Sequence, residues 1–471
     1  METIPRPRLL DEARAIPSRL GPAGGAWSWH SAHRPGAPAP ANWYEASLDE
    51  APAFAPLAGD GACEVVVIGG GLLGASTALH LAEAGVDTVL LERDGLGAAA
   101  SGRNGGQLTP GLARWEAADM LARLPFDEAR RLWRFASAES MALIDAILAR
   151  YGLDVDRRRG HITAAVHPGH LGALVEDADA RLRLGDGEAW VVGRHALREH
   201  LRSPLYHGAT IDGLGGQLHP LALVRGLAHG FARHGGRAHE RTEVLAVAPG
   251  PGGTVVRTRH GRLLARRGVV LAVHEGSARF LPRAAATTVP FHTYVGVTPP
   301  LDVDSAELLP TGLPVYDTRF QIDYYRPVHG NRLLFGGQGT GTRWAPERVN
   351  RYLLGRIRAV FPQLQAPALE FSWSGTSDFT LNGATECRKS DDAAPVYLAH
   401  GWSGHGVAQT VRIGKAIADD LTGRNDDFAM LTRIPHRAIP MGRRLAPAAI
   451  PLAKAAAAVA GAVRPDRLVS F

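Results

Sequence analysis

Apolar positions between residues 61 and 92 follow two spacings, which together predict a strand, a helix and a second strand. Glu64–Ile68 is a short apolar run of the kind found in buried parallel strands. Leu72–Ala84 repeats its apolar residues with a helical period, and Gly85 follows where the end of a helix favours glycine. Thr88–Leu91 is a second apolar run that ends at Glu92. This order of elements predicts a βαβ unit.

The rest of the chain continues with both patterns. Helical spacing predicts helices over 113–150, Leu221–His234 and Val407–Leu421. Apolar runs of strand length are Val255–Thr258, Val269–Val273, 289–298, 322–336 and Val396–Ala399. The apolar stretch Ala448–Val463 contains Pro451 and Lys454 and is shorter than the roughly 18 residues of a membrane span, so it predicts a C-terminal helix docked on the surface.

Composition narrows the class of protein. The chain has 471 residues, 45% of them hydrophobic and 55 of them glycine, which predicts two domains with a sizeable core and many tight turns. The formal charge is +6, but the basic residues are scattered, so no nucleic-acid partner is expected. Only three residues are lysine, namely Lys389, Lys415 and Lys454. His161, His167, His170 and His219 lack the spacing of zinc ligands, so no metal site is expected.

The two cysteines, Cys63 and Cys387, cannot form a disulfide framework and indicate a reducing compartment. Residues 1–41 lack the apolar core of a signal peptide and predict a flexible arm. The residues expected to dock this arm are Trp43, Tyr44, Phe54 and Leu57. A cytoplasmic protein without a membrane span is therefore expected.

The turn inside the βαβ unit carries a dinucleotide-binding motif. Gly69 permits a tight turn, Gly71 lets the backbone approach a pyrophosphate, and Gly74 lets the helix pack against the strand. The helix N-terminus offers free N–H groups to phosphate, and Glu92 lies where a carboxylate accepts from a ribose diol. The alternative, a chance glycine turn, does not explain the acid at this distance.

Two further glycine-rich segments favour FAD over NAD. In 93–111, small residues let the main chain lie against a flat ligand, and Ser101, Arg103 and Asn104 add donors; the alternative is a mobile linker. Gly401–Gly406 lies between a strand and a helix, where N–H groups would face a flavin carbonyl and Thr410 follows one turn later; the alternative is a glycine-rich helix cap.

These segments resemble a known family. Ala100–Gln107, Gly215–Pro220, Ile322–Gly337 and Gly401–Val407 look like the D-amino acid oxidase superfamily of FAD-dependent oxidoreductases, and most like its branch of gamma-glutamylputrescine oxidases. The resemblance covers roughly residues 42–445. It implies an α/β fold in which a Rossmann-like FAD-binding domain, assembled from separated segments, is interleaved with an α+β substrate domain built on a large mixed sheet.

The resemblance also implies a domain division and a set of cofactor contacts. The expected parts are an N-terminal arm (1–59), an FAD-binding domain (60–112, 207–288 and 385–425), a substrate-binding domain (113–206 and 289–384) and a C-terminal helical tail (426–471). The predicted cofactor-binding residues are Gly69, Gly71, Leu72, Leu73, Gly74, Glu92, Arg93, Ser101, Arg103, Asn104, Gly105, Gly106, Gln107, Val244, Ser403, Gly404, His405, Gly406, Val407 and Thr410. FAD is expected to be non-covalent, because Cys387 is too close to the glycine turn to match the cysteine that attaches flavin in some relatives.

The implied reaction is oxidation of the C–N bond of an amine by hydride transfer to flavin N5. An imine and then an aldehyde would form, with oxygen or another molecule as electron acceptor. Asp378 follows Gly375 where amino-acid oxidases carry an arginine, and an acid suits a cationic amine; the alternative is a capping or surface acid. His292, Tyr324 and Arg326 are further candidate catalytic residues.

Strand alternation allows only one of Tyr324 and Tyr325 to face the flavin, and core packing is the alternative for each candidate. Val270–Gly276 and Thr380–Lys389 depart from the family pattern. Two other functions therefore stay open, an amino-acid oxidase or dehydrogenase and a flavin-binding protein without turnover. An arginine aimed at the flavin, such as Arg326, would favour the amino-acid enzyme.

Overall fold

The structure is a computed structural model that describes residues 6–9, 26–28, 42–49, 53–439 and 442–468. Within these residues the strands form two large sheets, which we call sheet A and sheet B. Most of the predicted N-terminal arm lies outside the described residues. At its end Trp43 and Tyr44 are buried in the core, whereas Phe54 is partly exposed.

In chain order the strands are β1 (Ala26–Ser28), β2 (Gly61–Ile68), β3 (Thr88–Leu91), β4 (Gln107–Leu108), β5 (Arg158–Ala164), β6 (Ala189–Gly193), β7 (Gly208–Gln217), β8 (Arg237–His239), β9 (Val244–Gly250), β10 (Gly253–Thr258), β11 (Arg262–Leu271), β12 (Thr288–Val297), β13 (Val315–Asp317), β14 (Asp323–Val328), β15 (Arg332–Thr340), β16 (Phe371–Thr380), β17 (Glu386–Lys389) and β18 (Val396–His400).

The α-helices are α1 (Trp43–Ala46), α2 (Leu72–Glu83), α3 (Ala117–Arg123), α4 (Phe126–Ala136), α5 (Ala138–Tyr151), α6 (His170–Arg183), α7 (Arg194–Leu197), α8 (Pro220–Arg233), α9 (Pro282–Thr287), α10 (Pro346–Val360), α11 (Val407–Thr422), α12 (Asp427–Thr432) and α13 (Gly442–Val463). The long helical pattern predicted over 113–150 is therefore divided among α3, α4 and α5.

Sheet A has the order β17-β18-β11-β2-β3-β8, and β10 joins β11 to β9. Strands β18, β11, β2, β3 and β8 run parallel, as the predicted βαβ unit requires. Both faces of β2 are covered. Val65 and Val67 pack with α2, α8 and α11, whereas Val66 and Ile68 pack with β10 and β11. Burial on both faces explains the continuous apolar run in β2.

Sheet B has the order β1-β16-β12-β15-β14-β13-β5-β7-β4, with β6 also paired to β7. One face of its central strands packs on α10 through residues such as Tyr325, Phe335 and Leu353. The other face is turned toward sheet A. The mixed α/β class with a large mixed sheet is confirmed.

The strand membership differs from the predicted domain division in two respects. Ala26–Ser28 falls in the predicted N-terminal arm, yet it pairs with β16 of sheet B. Gly208–Gln217 and Gln107–Leu108 fall in the predicted FAD-binding segments, yet both pair within sheet B. Four glycines in β7 leave little apolar alternation to reveal its partner. The pairing with β5 is decided by contacts that are distant in sequence. No helix within the described ranges is long and apolar enough to cross a membrane.

A buried ionic cluster joins α4, α6 and β7. The Arg181 guanidinium donates to Asp186 at 2.9 Å and to Asp212 at 3.2 Å, and it lies 5.3 Å from the centroid of the Trp133 ring. Both carboxylates are buried, so replacing Arg181 with methionine leaves two anions without their cation.

We expect Arg181→Met to lower the free energy of unfolding by about 3–5 kcal/mol. The matched control is Arg183→Met, two residues along the same helix and exposed, which should change stability by less than about 0.5 kcal/mol. Urea denaturation followed by circular dichroism measures both. Equal effects of the two substitutions would contradict the structural role assigned to the cluster.

Candidate active site

One cavity of about 720 Å³ lies between the two sheets. Its wall on the sheet A side begins at Ile68 and Leu91, the last residues of β2 and β3. Its other walls come from β12, β14, β15 and β16 of sheet B, and α13 covers one end. The carboxyl ends of parallel strands are where open α/β sheets bind ligands. The cavity therefore coincides with the position predicted for the cofactor.

The glycines of the first motif allow close backbone contacts. Gly69 has a φ of +107°, and a Cβ there would come 2.5 Å from the carbonyl oxygen of Ala272. A Cβ on Gly74 would lie 1.9 Å from the carbonyl oxygen of Gly69. At Gly71 it would meet the Ser101 hydroxyl at 2.7 Å. Only hydrogen fits at these positions, so β2, α2 and the loop after β3 can meet at one edge of the cavity.

The Glu92 carboxylate lies at this edge and organises the backbone around it. It accepts hydrogen bonds from the N–H groups of Gly70 at 2.7 Å and Asp94 at 2.8 Å. Burial raises the pKa of Glu92 above its ordinary value, although these two N–H groups favour the charged form. Each carboxylate oxygen keeps a further lone pair, so Glu92 can still accept from a ligand hydroxyl.

The loop after β3 is held by its own side chains. Asn104 donates to the carbonyls of Ala100 at 3.0 Å and Ser101 at 2.9 Å, and its amide oxygen accepts from the N–H of Gly106. Ser101 accepts from the N–H of Leu72 at the start of α2. These bonds give the segment a defined backbone surface. The alternative of a mobile linker does not describe it.

Arg103 reaches across to sheet B. Its Nε donates to the carbonyl of Ser374 at 2.9 Å, and burial lowers the pKa of its guanidinium to about 10. The Trp373 indole donates to the carbonyl of Arg103 at 2.9 Å. Arg103 lines the cavity, as predicted, but it also joins the loop to β16.

The Gly401–Gly406 turn connects β18 to α11 and forms another wall. Ser403 has a φ of +50°, and the turn ends at the N-terminus of α11, where Val407 and Thr410 also line the cavity. Burial, together with the charge of Arg114, lowers the pKa of His405 to about 3, so its imidazole is neutral near pH 7. All the predicted cofactor-binding residues line the cavity except Gly74, which packs behind Gly69.

Strand alternation separates the candidate catalytic residues. On β14, Tyr324 lines the cavity, whereas Tyr325 stacks on Phe335 in the core beside α10. Tyr324 lies so close to the loop after β3 that a Cβ on Gly105 would come 2.8 Å from its ring. Burial raises the pKa of Tyr324 above its ordinary value, so the phenol is neutral near pH 7.

His292 does not line the cavity. On β12 its neighbours Phe291 and Thr293 face the cavity, and alternation directs His292 and Tyr294 to the opposite face of sheet B. The Tyr294 hydroxyl is accordingly hydrogen-bonded to Thr340 at 2.8 Å, outside the cavity lining. The sequence did not show which alternate residues of β12 face the cavity.

Arg326 also lies outside the cavity lining. Its guanidinium is buried and donates to the carbonyls of Gly105 at 2.8 Å and Leu218 at 3.1 Å and to the Tyr44 hydroxyl at 3.3 Å. It supports the loop after β3 from behind. An arginine aimed at the cavity would have favoured an amino-acid enzyme. Arg326 is not aimed at the cavity.

Asp378 lies behind the cavity wall and does not line it. Its carboxylate accepts from the N–H groups of Gly401 at 3.0 Å and Trp402 at 3.3 Å, and it pairs with His274 Nε2 at 3.0 Å. Burial would raise the pKa of Asp378, but these partners lower it to about 2. This geometry is that of a capping acid. It agrees with the alternative stated in the sequence analysis and not with a role in substrate binding.

Several lining residues were not predicted. His274 belongs to the segment noted as departing from the family pattern, and its ring completes the wall in front of Asp378. Arg114 lines the cavity and donates to the carbonyl of Ser403 at 3.2 Å. Ile450 and Lys454 come from α13, which was predicted as a helix docked on the surface. In the sequence, Lys454 was distinguished only by being one of three lysines in the chain.

The chain is similar to known oxidoreductases along most of its length. A family model described as "FAD dependent oxidoreductase" matches residues 64–420. Gamma-glutamylputrescine oxidoreductase of Escherichia coli (strain K12) is 33% identical over 408 residues, covering 86% of this chain and 94% of that protein. The probable oxidoreductase OrdL of Rhizobium meliloti (strain 1021) is 29% identical over 433 residues, covering 90% and 97%.

The fold is also similar to a solved one. A crystal structure of glycine oxidase from Geobacillus kaustophilus superimposes with a TM-score of 0.65 at 22% identity, covering 79% of this chain and 99% of that one. The family model and the 33% identical relative confirm the resemblance inferred from the sequence motifs, and the solved structure agrees with the fold.

The bonds made by Asp378 lead to a pH-dependent prediction. A carboxylate whose pKa in the folded state is about 2, against an ordinary 3.8, contributes stability above pH 3.8 that is lost as the pH falls through about 2. We expect Asp378→Asn to lower the free energy of unfolding by about 1–3 kcal/mol at pH 7. The difference from the unsubstituted protein should shrink between pH 4 and pH 2, measured by urea denaturation.

The control is Asp391→Asn, an exposed acid between β17 and β18 that should change stability by less than about 0.5 kcal/mol. If the effect of Asp378→Asn were the same at pH 7 and near pH 2, the charge of this carboxylate would not be what stabilises the turn.

Proposed function

The chain belongs to the DAO family of FAD-dependent oxidoreductases, and from this premise we propose that it oxidises the C–N bond of an amine to an imine. Water then hydrolyses the imine to an aldehyde and releases the nitrogen as ammonia or an amine. We propose oxygen as the electron acceptor, which would release hydrogen peroxide.

Members of the family bind FAD, and the residues around the cavity fit this cofactor. Backbone without side chains at Gly69 and Gly71 provides a cradle for a pyrophosphate, and the N-terminus of α2 faces the same edge. We propose that Glu92 accepts from the ribose and that the loop 101–107 and the turn 403–407 contact the flavin. Cys387 is buried and outside the cavity lining, which supports a non-covalent cofactor.

The observation that supports the proposal is the apolar and aromatic lining of one part of the cavity. This part lies beside sheet B, and we call it the aromatic chamber. Its walls are Tyr324, Phe291, Phe379 and Ile450. Phe291 and Phe379 lie 6.0 Å apart between ring centroids, and Ile450 packs beside them. These walls suit an extended aliphatic chain attached to an amine. The similarity to gamma-glutamylputrescine oxidoreductase supports the same substrate class.

The chain's own contribution to the reaction is to desolvate and orient the amine. Bound FAD supplies the acceptor for the hydride at N5. An amine must be neutral for its lone pair to assist hydride loss, and a carbon-lined wall disfavours the ammonium form. Tyr324 is hydrogen-bonded to Thr293 and stays protonated, so we assign it the role of orienting the amine as a hydrogen-bonding partner. Asp378 and Arg326 act as positioning residues that support the turn and the loop.

A second function is favoured by one observation. Arg114 is a cation on the cavity wall next to the Ser403 turn, where its guanidinium donates to the carbonyl of Ser403 at 3.2 Å. An arginine in this position suits the carboxylate of an α-amino acid. Amino-acid oxidation is therefore the alternative to amine oxidation.

A spectroscopic experiment tests the proposal. The purified protein should be yellow, and all of its flavin should be released by guanidinium chloride and pass through a filter that retains the chain. Under anaerobic conditions, aliphatic amines should bleach the flavin absorbance, whereas α-amino acids should not. Bleaching by α-amino acids alone would establish the alternative function. Flavin that no amine or amino acid bleaches would indicate a protein without turnover.

The orientation of β14 predicts opposite outcomes for two neighbouring tyrosines. Tyr324→Phe removes a hydroxyl from the cavity wall and should lower kcat/KM for amines by about 3- to 10-fold, the value of one hydrogen bond. Tyr325→Phe alters the core beside α10 and should change kcat/KM by less than about 2-fold. Flavin content is measured for both variants. An equal loss of activity in the two would remove Tyr324 from the proposed mechanism.

A further inference from the structure

Helix α13 carries a lysine to the far end of the aromatic chamber. Lys454 Nζ donates to the side-chain oxygen of Gln338 and, at 3.1 Å, to the carbonyl of Gly339. Both acceptors are on β15, 115 or more residues earlier in the chain. One turn before Lys454, Ile450 packs on Val289 of β12. The lysine is thus held at the cavity wall by a helix anchored on sheet B.

This lysine has no anionic partner among the residues that the structure describes. Its two acceptors are neutral, and an ammonium group has three protons to donate. The charged group that influences it is another cation, Arg348, and both cations lie over the Trp344 ring, with Nζ 5.8 Å from the ring centroid. Burial, followed by repulsion from Arg348, lowers the pKa of Lys454 to about 8.

Such an arrangement is unfavourable for the protein alone. A half-buried cation loses hydration, and neutral acceptors replace only part of it. If the lysine served only to attach α13 to β15, a neutral donor would make the same two hydrogen bonds without that cost. An anion supplied from the cavity would satisfy the remaining proton and balance the charge of Lys454 and Arg348.

The strand register gives the distance between Tyr324 and the place where such an anion would bind. Tyr324 lies against Gly336, since a Cβ on Gly336 would fall 2.4 Å from its hydroxyl oxygen. Lys454 contacts Gly339, three residues further along β15, which is about 10 Å at about 3.3 Å per residue. A substrate whose amine lies at Tyr324 and whose other end carries an anion about 10 Å away would contact both residues.

Resting on the proposed function, we propose that Lys454 is a specificity-determining residue that binds a carboxylate at the far end of the amine substrate. The substrate class is then an aliphatic amine extended by a chain that ends in a carboxylate. Selectivity arises because a substrate ending in a methyl group would leave the lysine proton unpaired. The carboxylate is bound by a segment remote from the cofactor motifs.

Two probes of equal length test this proposal. The first is 1,4-diaminobutane acylated on one nitrogen with glutarate, and the second is the same diamine acylated with pentanoate, which replaces the carboxylate with a methyl group. In the first probe nine bonds separate the oxidised carbon from the carboxylate carbon, or roughly 10–11 Å when extended. We expect the unsubstituted enzyme to have the higher kcat/KM for the glutaryl probe.

Lys454→Met should lower the ratio of kcat/KM values, glutaryl over pentanoyl, by about 10- to 100-fold, mainly through KM of the glutaryl probe. Lys454→Arg should keep most of the preference because it keeps the cation. The matched control is Lys389→Met, a lysine paired with Asp420 outside the cavity lining, which should leave the ratio unchanged. An equal loss for both probes in Lys454→Met, or no preference in the unsubstituted enzyme, would overturn the proposal.

A binding measurement separates this inference from the proposed function. N-Butylglutaramate is the glutaryl probe without its amine, and its Kd is obtained from the perturbation of the flavin spectrum. A 10- to 100-fold higher Kd in Lys454→Met, in a protein that oxidises no amine, would retain the carboxylate site and reject the proposed reaction. Oxidation of amines with an unchanged Kd and an unchanged probe ratio would retain the reaction and reject the site.

Discussion

A single buried carboxylate links the two sheets at the active site. Asp378 belongs to β16 of sheet B, yet its partners follow strands of sheet A: His274 follows β11, and Gly401 and Trp402 follow β18. Because the carboxylate is charged and inaccessible to water, loss of one of these partners leaves part of its charge uncompensated. The bonds of Arg103 to β16 add a second link from the loop after β3. The walls of the cavity are therefore held at a defined separation by polar contacts, in addition to apolar packing.

The cavity is divided between two kinds of structure. The end proposed for the cofactor is formed by backbone at glycines, where β2, the loop after β3 and the turn before α11 approach one another more closely than side chains would allow. The end proposed for the substrate is formed by side chains from the strands of sheet B and from α13. The two ends of the cavity therefore differ in kind, since backbone at glycines forms one and side chains form the other.

The same division separates the sequence predictions that match the cavity lining from those that do not. The residues around Gly69, Ser101 and Ser403 were predicted because each lies in a short segment whose glycines and flanking elements form one local unit. Asp378 was assigned to the substrate because its position was compared with an arginine, and its partners, 23 and more residues away, were not visible. His292 was predicted to face the cavity, but it lies on the opposite face of β12. A shift of one residue along a strand turns a side chain to the other face of the sheet.

By itself, the sequence determined the βαβ unit, the glycine-rich segments that line the cavity and the mixed α/β class, because local hydrophobic spacing and glycine motifs act within a few tens of residues. Only the tertiary structure decided which of Tyr324 and Tyr325 faces the cavity, that Asp378 supports a turn, and that a lysine from the C-terminal helix enters the site. These features depend on strand register and on contacts between segments that lie from 23 to more than a hundred residues apart. Such contacts are set by the packing of the whole chain, and no local pattern encodes them.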